Sequence, residues 1–239
     1  MLSSVNASER IKERHQLAFS FARTPNEVME AQRLRYKVFA EEMGANISNH
    51  DGLDIDGFDP YCDHLLIRDQ SNNRVVGTYR ILSPVMANVV GGYYASGEFD
   101  ITRLAHLFDS TVEVGRACVH ADYRNGGTIA LLWAGLAKYM QMHNYEYMIG
   151  CGSISMADGG HIAANLYAQL QAHLSPPEYR VFPHCPLPLA ALKNDSAVTC
   201  PPLIKGYLRL GAYICGEPAW DPDLSLIHIS EPTIPRLIS

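Results

Sequence analysis

Patterns of apolar and polar positions divide the chain into strands and helices. Residues 16–22 alternate between polar and apolar side chains, which predicts a first strand. Apolar side chains then recur at helical spacing, and Thr24 and Pro25 suit the start of a helix while Gly44 suits its end. We therefore predict a helix over residues 25–43.

Two strands are predicted to form a hairpin, residues 62–68 and 75–82, around a connection rich in Asp, Ser and Asn. The preceding segment 44–60 is a long polar loop, and a loop of this length inside a domain is more often functional than not. Residues 83–92 are predicted to form a loop. Beyond them we expect a short helix within 99–107, helical residues at 158–173, a short helix at 203–210 and a strand at 212–215.

The centre of the chain predicts a strand, a loop and a helix in succession. Residues 112–119 suit a largely buried strand, 124–128 are rich in Asn and Gly, and a mostly apolar helix follows. The start of that helix offers backbone N–H groups and the positive end of the helix dipole, which suit an anion such as phosphate. Residues 146–151 predict the next strand, parallel to the first through a right-handed crossover.

Composition places the chain among globular proteins. It has 239 residues, 47% of them apolar and 18% charged, enough for one domain with a buried core. A net charge of −6 argues against a general nucleic-acid binder, and we predict no nucleic-acid partner. The longest apolar run, residues 128–137, is shorter than the roughly 20 residues that span a bilayer. Six separated cysteines without a C-x-x-C pair, behind a polar N-terminus, favour free thiols in the cytoplasm over three disulfides.

The predicted domain boundaries follow from the two ends of the chain. Residues 1–15 are expected to be a polar tail, and 16–223 a single domain. Residues 224–239 resemble a translated sequencing adapter more than a protein element. We expect this last segment to be non-native and an edge strand of the native domain to be missing.

Glu113 is the candidate general base. A carboxylate carried by a largely buried strand can take a proton from a neighbouring group directly or through water. The alternative is an ordinary Glu on a half-exposed strand. Arg116 would face away from Glu113 in a regular strand and serve as an ion-pair partner, whereas a bulge near Gly115 would allow it a role in the site.

The acidic residues of the long loop allow three interpretations. Asp56 and Asp59, with Asp54, can bind a cationic acceptor whose carboxylate is held by Arg35 or Arg80. A calcium site is the second, although Leu65 stands at the twelfth position of that run, where an EF-hand has Glu. The third is a solvated acidic loop. The histidines show no compact metal-ligand spacing, and no metal site is predicted.

Several segments together resemble one family. The loop Arg124–Ile129 is similar to the R-x-x-G-x-G/A loop of the GNAT N-acyltransferases, although Ile129 stands where that pattern has Gly or Ala. The segments 34–39, 54–65, 76–80 and 113–116 resemble the ornithine-acyl carrier protein N-acyltransferases, often labelled hemolysin-like, which are related to the acyl-homoserine-lactone synthases. The resemblance extends over roughly residues 16–223.

This resemblance implies an α/β fold of three layers, with a mixed, splayed central sheet flanked by helices. It also implies that Glu113 is the base, that the backbone N–H groups of Cys118 and Val119 polarise the thioester carbonyl, and that Tyr167 is an acid toward the leaving thiolate. The residues implied to bind the donor phosphate are Arg124, Asn125, Gly126, Gly127 and Thr128.

The implied reaction moves a 3-hydroxyacyl or similar acyl group from acyl carrier protein to the amine of ornithine, by direct attack and without an acyl-enzyme. The co-substrate would be the acyl-phosphopantetheine of that carrier, or acyl-CoA, with no permanently bound cofactor. Arg124 and Lys138 are candidates for docking the acidic carrier. Because the product is amphiphilic, peripheral contact with the inner membrane surface is expected. Alternatives are a lactone-synthase-like enzyme, another amine N-acyltransferase or a non-catalytic carrier-binding module.

Overall fold

The central sheet is built around β5 (Thr111–Val119), and the strand order is β1-β2-β3-β5-β6-β9-β8. The computed structural model describes residues 16–47, 51–221 and 226–230. Its β5–β6 pair is parallel, and the other strand pairs of this sheet are antiparallel. The remaining strands are β1 (Leu17–Phe21), β2 (Asp63–Asp69), β3 (Arg74–Leu82), β4 (Phe99–Asp100), β6 (Tyr147–Ser155), β7 (Phe182–Pro183), β8 (Ala219–Asp221) and β9 (Leu226–Ser230).

The helices of the described residues connect and cover these strands. They are α1 (Pro25–Tyr36), α2 (Pro84–Val90), α3 (Ala95–Glu98), α4 (Gly126–His143), α5 (His161–Gln169), α6 (Leu189–Leu192) and α7 (Pro202–Arg209). The segment Lys37–Glu42 continues α1 as a π-helical turn. Short 3₁₀ segments lie at Asp59–Tyr61, Thr102–Ser110, Ala121–Tyr123, Leu170–His173 and Pro177–Tyr179.

The sheet splays at its centre. The two parallel strands pair only from Thr111 with Tyr147 to Val114 with Gly150. Beyond this point β6 pairs with β9, while β5 continues along β3. A gap therefore opens between two neighbouring strands, and the mixed, splayed sheet flanked by helices that the sequence predicted is confirmed.

A bulge turns the backbone of β5 beside this gap. The register between β3 and β5 shifts between Thr78 and Arg80, opposite Arg116 and Ala117. Arg116 has a φ of 50°, in the left-handed region that non-glycine residues rarely adopt. The regular strand in which Arg116 faces away from the site is therefore wrong, and the bulge is what brings its side chain to the gap.

Helices pack on both faces of the sheet. The helix α4 packs on β1, β2 and β3, and α1 packs on β3 and β5. Gly135 allows the close approach of α4, because a Cβ built there would lie 2.5 Å from Cδ1 of Leu65. Leu65 and Leu136 belong to the largest apolar core, which lies between this helix and the sheet.

Two predicted elements need correction. Residues 83–92 contain the helix α2, since the Ser83 side chain accepts a hydrogen bond from the Met86 N–H and Gly91 ends the helix with a φ of 100°. Residues 212–215 form no strand of a sheet, only an isolated bridge between Ile214 and Leu174. The predicted first strand, the helix after Thr24, the hairpin and the parallel strand β6 are confirmed.

The predicted tails fall mostly outside the described residues. Residues 1–15 lie outside them, and of 224–239 only 226–230 are described, as the strand β9 beside β6. The domain boundaries and the origin of the C-terminal segment stay predictions. Among the described helices none combines the length and apolar character needed to cross a membrane.

Candidate active site

Glu113 lies on β5 where the two parallel strands are still paired, opposite Leu82 and Ile149. Its carboxylate is buried and accepts hydrogen bonds from the backbone N–H groups of Tyr94, at 2.6 Å, and of Ala95, at 2.7 Å. Burial raises the pKa of Glu113 to about 7, and the two N–H donors only partly offset that effect. The interpretation of Glu113 as a half-exposed surface residue is therefore wrong.

A narrow cavity of about 30 Å³ lies at this carboxylate. Arg80, Tyr94 and Arg116 line it together with Glu113, so cationic and aromatic groups face the carboxylate. Arg116 also lies over the ring of Tyr94, with 5.7 Å between its Cζ and the ring centroid. The volume is sufficient for a water molecule among these polar groups.

A second cavity of about 440 Å³ lies next to the first and shares part of its wall. Aliphatic and aromatic side chains from the π-helical turn, α4 and α7 form much of its wall, and Tyr79 and Tyr207, whose hydroxyls contact each other, also line it. The residues that line both cavities are Val114, Gly115, Arg116, Cys151 and Ser153. Glu113 therefore lies beside an apolar space large enough for a small-molecule ligand.

The residues predicted to bind an acceptor form a buried ionic network. Arg35 is 0% exposed, and its Nε and Nη2 donate to Asp54 at 2.9 Å and to Asp59 at 2.8 Å. Asp54 and Asp59 are themselves buried, so the interpretation of a solvated acidic loop is wrong for both. Arg35 and Asp59 do not line either cavity. Their ion pair instead ties the segment that carries Asp54 and Asp59 to α1.

The outer half of the network consists of Asp56 with Arg80 and Arg116, and these two arginines line the small cavity. Arg80 donates to Asp56 at 2.5 Å, and Arg116 donates to the other oxygen of Asp56 at 3.1 Å. Burial alone would raise the pKa of Asp56, but Arg80 and Arg116 outweigh it and hold this pKa at about 2. The side chain of Asp56 is 23% exposed, against 4% for Asp54 and Asp59, which makes it the accessible acid of the three.

In the predicted phosphate loop, the side chain of Asn125 binds backbone N–H groups that were expected to bind phosphate. The Asn125 Oδ1 caps α4, accepting from the backbone N–H groups of Gly127 at 3.0 Å and Thr128 at 3.1 Å. Arg124 contacts Glu42 through its guanidinium and donates from Nε to the Val119 carbonyl. Two of the N–H groups expected to bind phosphate are thus already satisfied, while Arg124 lines the mouth of the large cavity.

Of the other residues predicted to act on the donor, Cys118 and Val119 lie at the large cavity and Tyr167 does not. Cys118 and Val119 line the large cavity, and burial raises the pKa of the Cys118 thiol to about 12. Tyr167 lines neither cavity and packs against the separate apolar cluster of α5 that contains Leu166. Within the described residues, no group of three or more His, Cys, Asp or Glu side chains is arranged to hold a metal ion.

Two features of the site were not predicted from the sequence. The backbone N–H groups of Tyr94 and Ala95 bind the Glu113 carboxylate. In the sequence, the Gly91-Gly92 pair indicates a turn just before these residues, but nothing there indicates that they contact Glu113. The contact of Tyr79 with Tyr207 joins residues 128 positions apart and had no local signal.

Comparison with known proteins identifies the family. Residues 34–134 match the acetyltransferase (GNAT) domain. The L-ornithine N(alpha)-acyltransferase of Rhizobium meliloti is 37% identical over 212 residues, which cover 81% of this chain and 71% of the relative. The protein of the same name from Rhodobacter capsulatus is 37% identical over 83% of this chain and 82% of its own length. The chain belongs to the L-ornithine N(alpha)-acyltransferase family.

Membership in the L-ornithine N(alpha)-acyltransferase family confirms the resemblance seen in the sequence and makes the protein an acyltransferase. A solved structure of the same fold is that of FeeM, an N-acyl amino acid synthase from uncultured soil microbes. It has a TM-score of 0.53 and 14% identity over 94% of each chain. At that identity it shows the fold alone, and the fold agrees with the GNAT-like architecture predicted from the sequence.

Proposed function

We propose that the protein transfers an acyl group from a thioester to the amine of L-ornithine, with Glu113 as the general base. The observation that carries the proposal is that the buried Glu113 carboxylate lines a small cavity that shares five wall residues with an apolar cavity of about 440 Å³. Such an arrangement suits an amine beside a base and an acyl chain in the adjoining apolar space. Ornithine is taken from the name of the relatives.

The proposed proton transfer starts with the ammonium group of the acceptor. With a pKa of about 7, Glu113 is partly ionised at neutral pH and takes a proton from that ammonium through a water in the small cavity. The free amine attacks the thioester carbonyl carbon, and the C–S bond breaks as the amide forms. The nitrogen loses its second proton as the amide forms, and this proton goes to the leaving thiolate. The proton first taken by Glu113 is released to solvent, and no covalent enzyme intermediate is needed.

The acceptor is proposed to bind at the outer half of the ionic network. Arg116 lines both cavities and suits the carboxylate of an amino acid, with Arg80 beside it. Asp56, the accessible acid, suits a second ammonium group on the acceptor. Arg35 and Asp59 then do not contact the acceptor and act only by holding Asp56 and its arginine partners in position.

The donor is proposed to be an acyl thioester of phosphopantetheine, carried by acyl carrier protein or by coenzyme A. Its acyl chain would occupy the apolar cavity, with the thioester carbonyl near the bulge at Arg116 and the backbone N–H groups of Cys118 and Val119. We further propose that the amphiphilic product is released at the inner membrane surface, with the protein acting from the cytoplasm as a peripheral enzyme.

The test combines thiol release with product analysis. Purified protein is given an acyl carrier thioester or acyl-CoA, together with L-ornithine, L-lysine or glycine, and the product is identified by mass spectrometry. We expect ornithine-dependent thiol release and an N-acylornithine product, lost in Glu113→Gln and kept in the exposed control Glu41→Gln. Release that is independent of any amino acid, or unchanged in Glu113→Gln, would contradict the proposal.

A further inference from the structure

Three hydrogen-bond donors converge on the imidazole of His120, which lies just after the end of β5. Lys37 Nζ lies 3.0 Å and Arg74 Nη2 lies 2.8 Å from the same ring nitrogen, Nε2. The other ring nitrogen, Nδ1, faces the backbone N–H of Asp122 at 3.3 Å. A neutral imidazole has one acceptor nitrogen and one N–H, and a protonated imidazole has no acceptor at all. The cluster therefore holds more donors than its acceptor can satisfy.

The two cations have no carboxylate of their own. Among the described residues neither Lys37 nor Arg74 forms an ion pair, in contrast to Arg35, Arg80 and Arg116. The carboxylate of Asp122 lies 3.6 Å from the ring of His120, but it is 78% exposed and does not reach either cation within ion-pair distance. His120 is 3% exposed, Lys37 is half-buried and Arg74 is exposed, so the cluster lies at the surface with its imidazole shielded from solvent.

The position of the cluster relates it to the large cavity. Lys37 directly precedes Val38, and His120 directly follows Val119, and both of these neighbours line that cavity. Glu113 lies on β5 seven residues before His120, which is roughly 20 Å for an extended backbone. The three cluster residues do not themselves line the large cavity, but two of them adjoin residues that do, Val38 and Val119.

From this arrangement we infer that Lys37, Arg74 and His120 form a phosphate subsite for the phosphopantetheine arm of the donor. A phosphate ester supplies the acceptor oxygens that the cluster lacks, and two cations with a ring N–H match its charge. The N–H groups at the start of α4 are the alternative seat, but the Asn125 side chain occupies those of Gly127 and Thr128. The inference rests on the proposed function, because that function supplies the thioester donor.

The test is a binding measurement that does not need turnover. Dissociation constants of pantetheine 4′-phosphate and of pantetheine are measured by calorimetry for the wild type, Lys37→Ala and Arg74→Ala. Lys193→Ala, which removes an exposed lysine, is the control. We expect each cluster variant to raise the dissociation constant of pantetheine 4′-phosphate at least tenfold, and the control variant to leave it unchanged. The dissociation constant of pantetheine should be the same in all four proteins.

Two results would overturn this subsite. One is equal affinity for pantetheine 4′-phosphate in the wild type and in both cluster variants. The other is tighter binding in Asn125→Ala, which frees the N–H groups of α4, combined with no effect of Lys37→Ala. Thiol release with ornithine is assayed separately, so binding through the cluster without any ornithine-dependent turnover would support the subsite while contradicting the proposed function. Comparing the carrier protein and coenzyme A as phosphate sources then shows which donor uses it.

Discussion

The Oε2 atom of Glu113 accepts a hydrogen bond from the backbone N–H of Tyr94 at 2.6 Å, and this contact fixes the carboxylate at the closed end of the splayed gap. A second N–H, from Ala95, binds the other oxygen. Two N–H donors favour the ionised form, while complete burial disfavours it more strongly. The balance keeps Glu113 buried yet able to exchange a proton near neutral pH, as a general base requires.

The raised pKa of Glu113 predicts a pH-dependent cost to stability. Both folded and unfolded chains carry a protonated Glu113 below its ordinary pKa of 4.5, and the folded chain resists ionisation until pH about 7. The contribution to stability is therefore present below pH 4.5 and is lost as pH rises to 7, by about 3 kcal/mol. Urea unfolding of the wild type and Glu113→Gln at pH 4 and pH 8 should show the difference in their free energies of unfolding shift by about 3 kcal/mol in favour of the variant. A difference that is constant with pH would argue against the raised pKa.

Arg35→Ala is predicted to destabilise the fold strongly. Removal of this fully buried guanidinium leaves Asp54 and Asp59 without their main partner, and breaking a buried ion pair costs about 3–5 kcal/mol. The measurement is the free energy of unfolding in urea, with the exposed Arg33→Ala as a matched control expected to change it by less than about 0.5 kcal/mol. Equal stability of the two variants would show that the network does not hold the loop.

Leu203→Trp is predicted to shorten the acyl chain that the enzyme accepts. Leu203 lies on α7 and lines the large cavity, so a larger side chain would take up space proposed for the chain. We expect kcat/KM to fall at least tenfold for long-chain thioesters and to change little for acetyl thioesters. Val85→Trp, at a residue of α2 that is 61% exposed, is the control. Parallel losses for long and short donors would place the chain elsewhere.

Asn125→Ala tests the cap of α4. The Asn125 side chain accepts from two N–H groups at the start of this helix, and loss of such a cap costs about 1 kcal/mol. The free energy of unfolding should fall by that amount, whereas Asn125→Asp should retain most of it because Asp also accepts at this position. An unchanged free energy in Asn125→Ala would mean that the N–H groups find another acceptor.

Local signals in the sequence were sufficient for the elements that carry the base. Composition predicted β5 as a largely buried strand, and the order strand–helix–strand predicted its parallel pairing with β6. Glu113 was singled out by the family resemblance of its Val-Glu-Val-Gly-Arg context, because the residue alone is equally typical of an ordinary strand. The helix at 84–90 was missed because Gly91 and Gly92 suggested a loop, although Ser83 and Pro84 are a recognisable helix start.

Long-range partners set the rest of the site, and periodicity does not reveal them. Arg116 and Asp56 are 60 residues apart, so their pairing depends on the bulge and on the path of the preceding loop. The role of Asn125 had a local signal, since Asn is a preferred helix cap, but the same Asn-Gly-Gly pattern also suits a phosphate loop. The Tyr167 assignment rested on resemblance, and the structure gives it no contact with either cavity.

The most direct test of the account is the pH profile of kcat/KM for L-ornithine at saturating acyl donor. We expect the wild-type value to rise with pH and to level off above pH about 7, where Glu113 is ionised. In Glu113→Gln the value should be lower by about 10²–10⁴-fold and should lose the inflection near that pH. A wild-type profile whose inflection near pH 7 survives in Glu113→Gln, with little loss of rate, would contradict the assignment of Glu113 as the base.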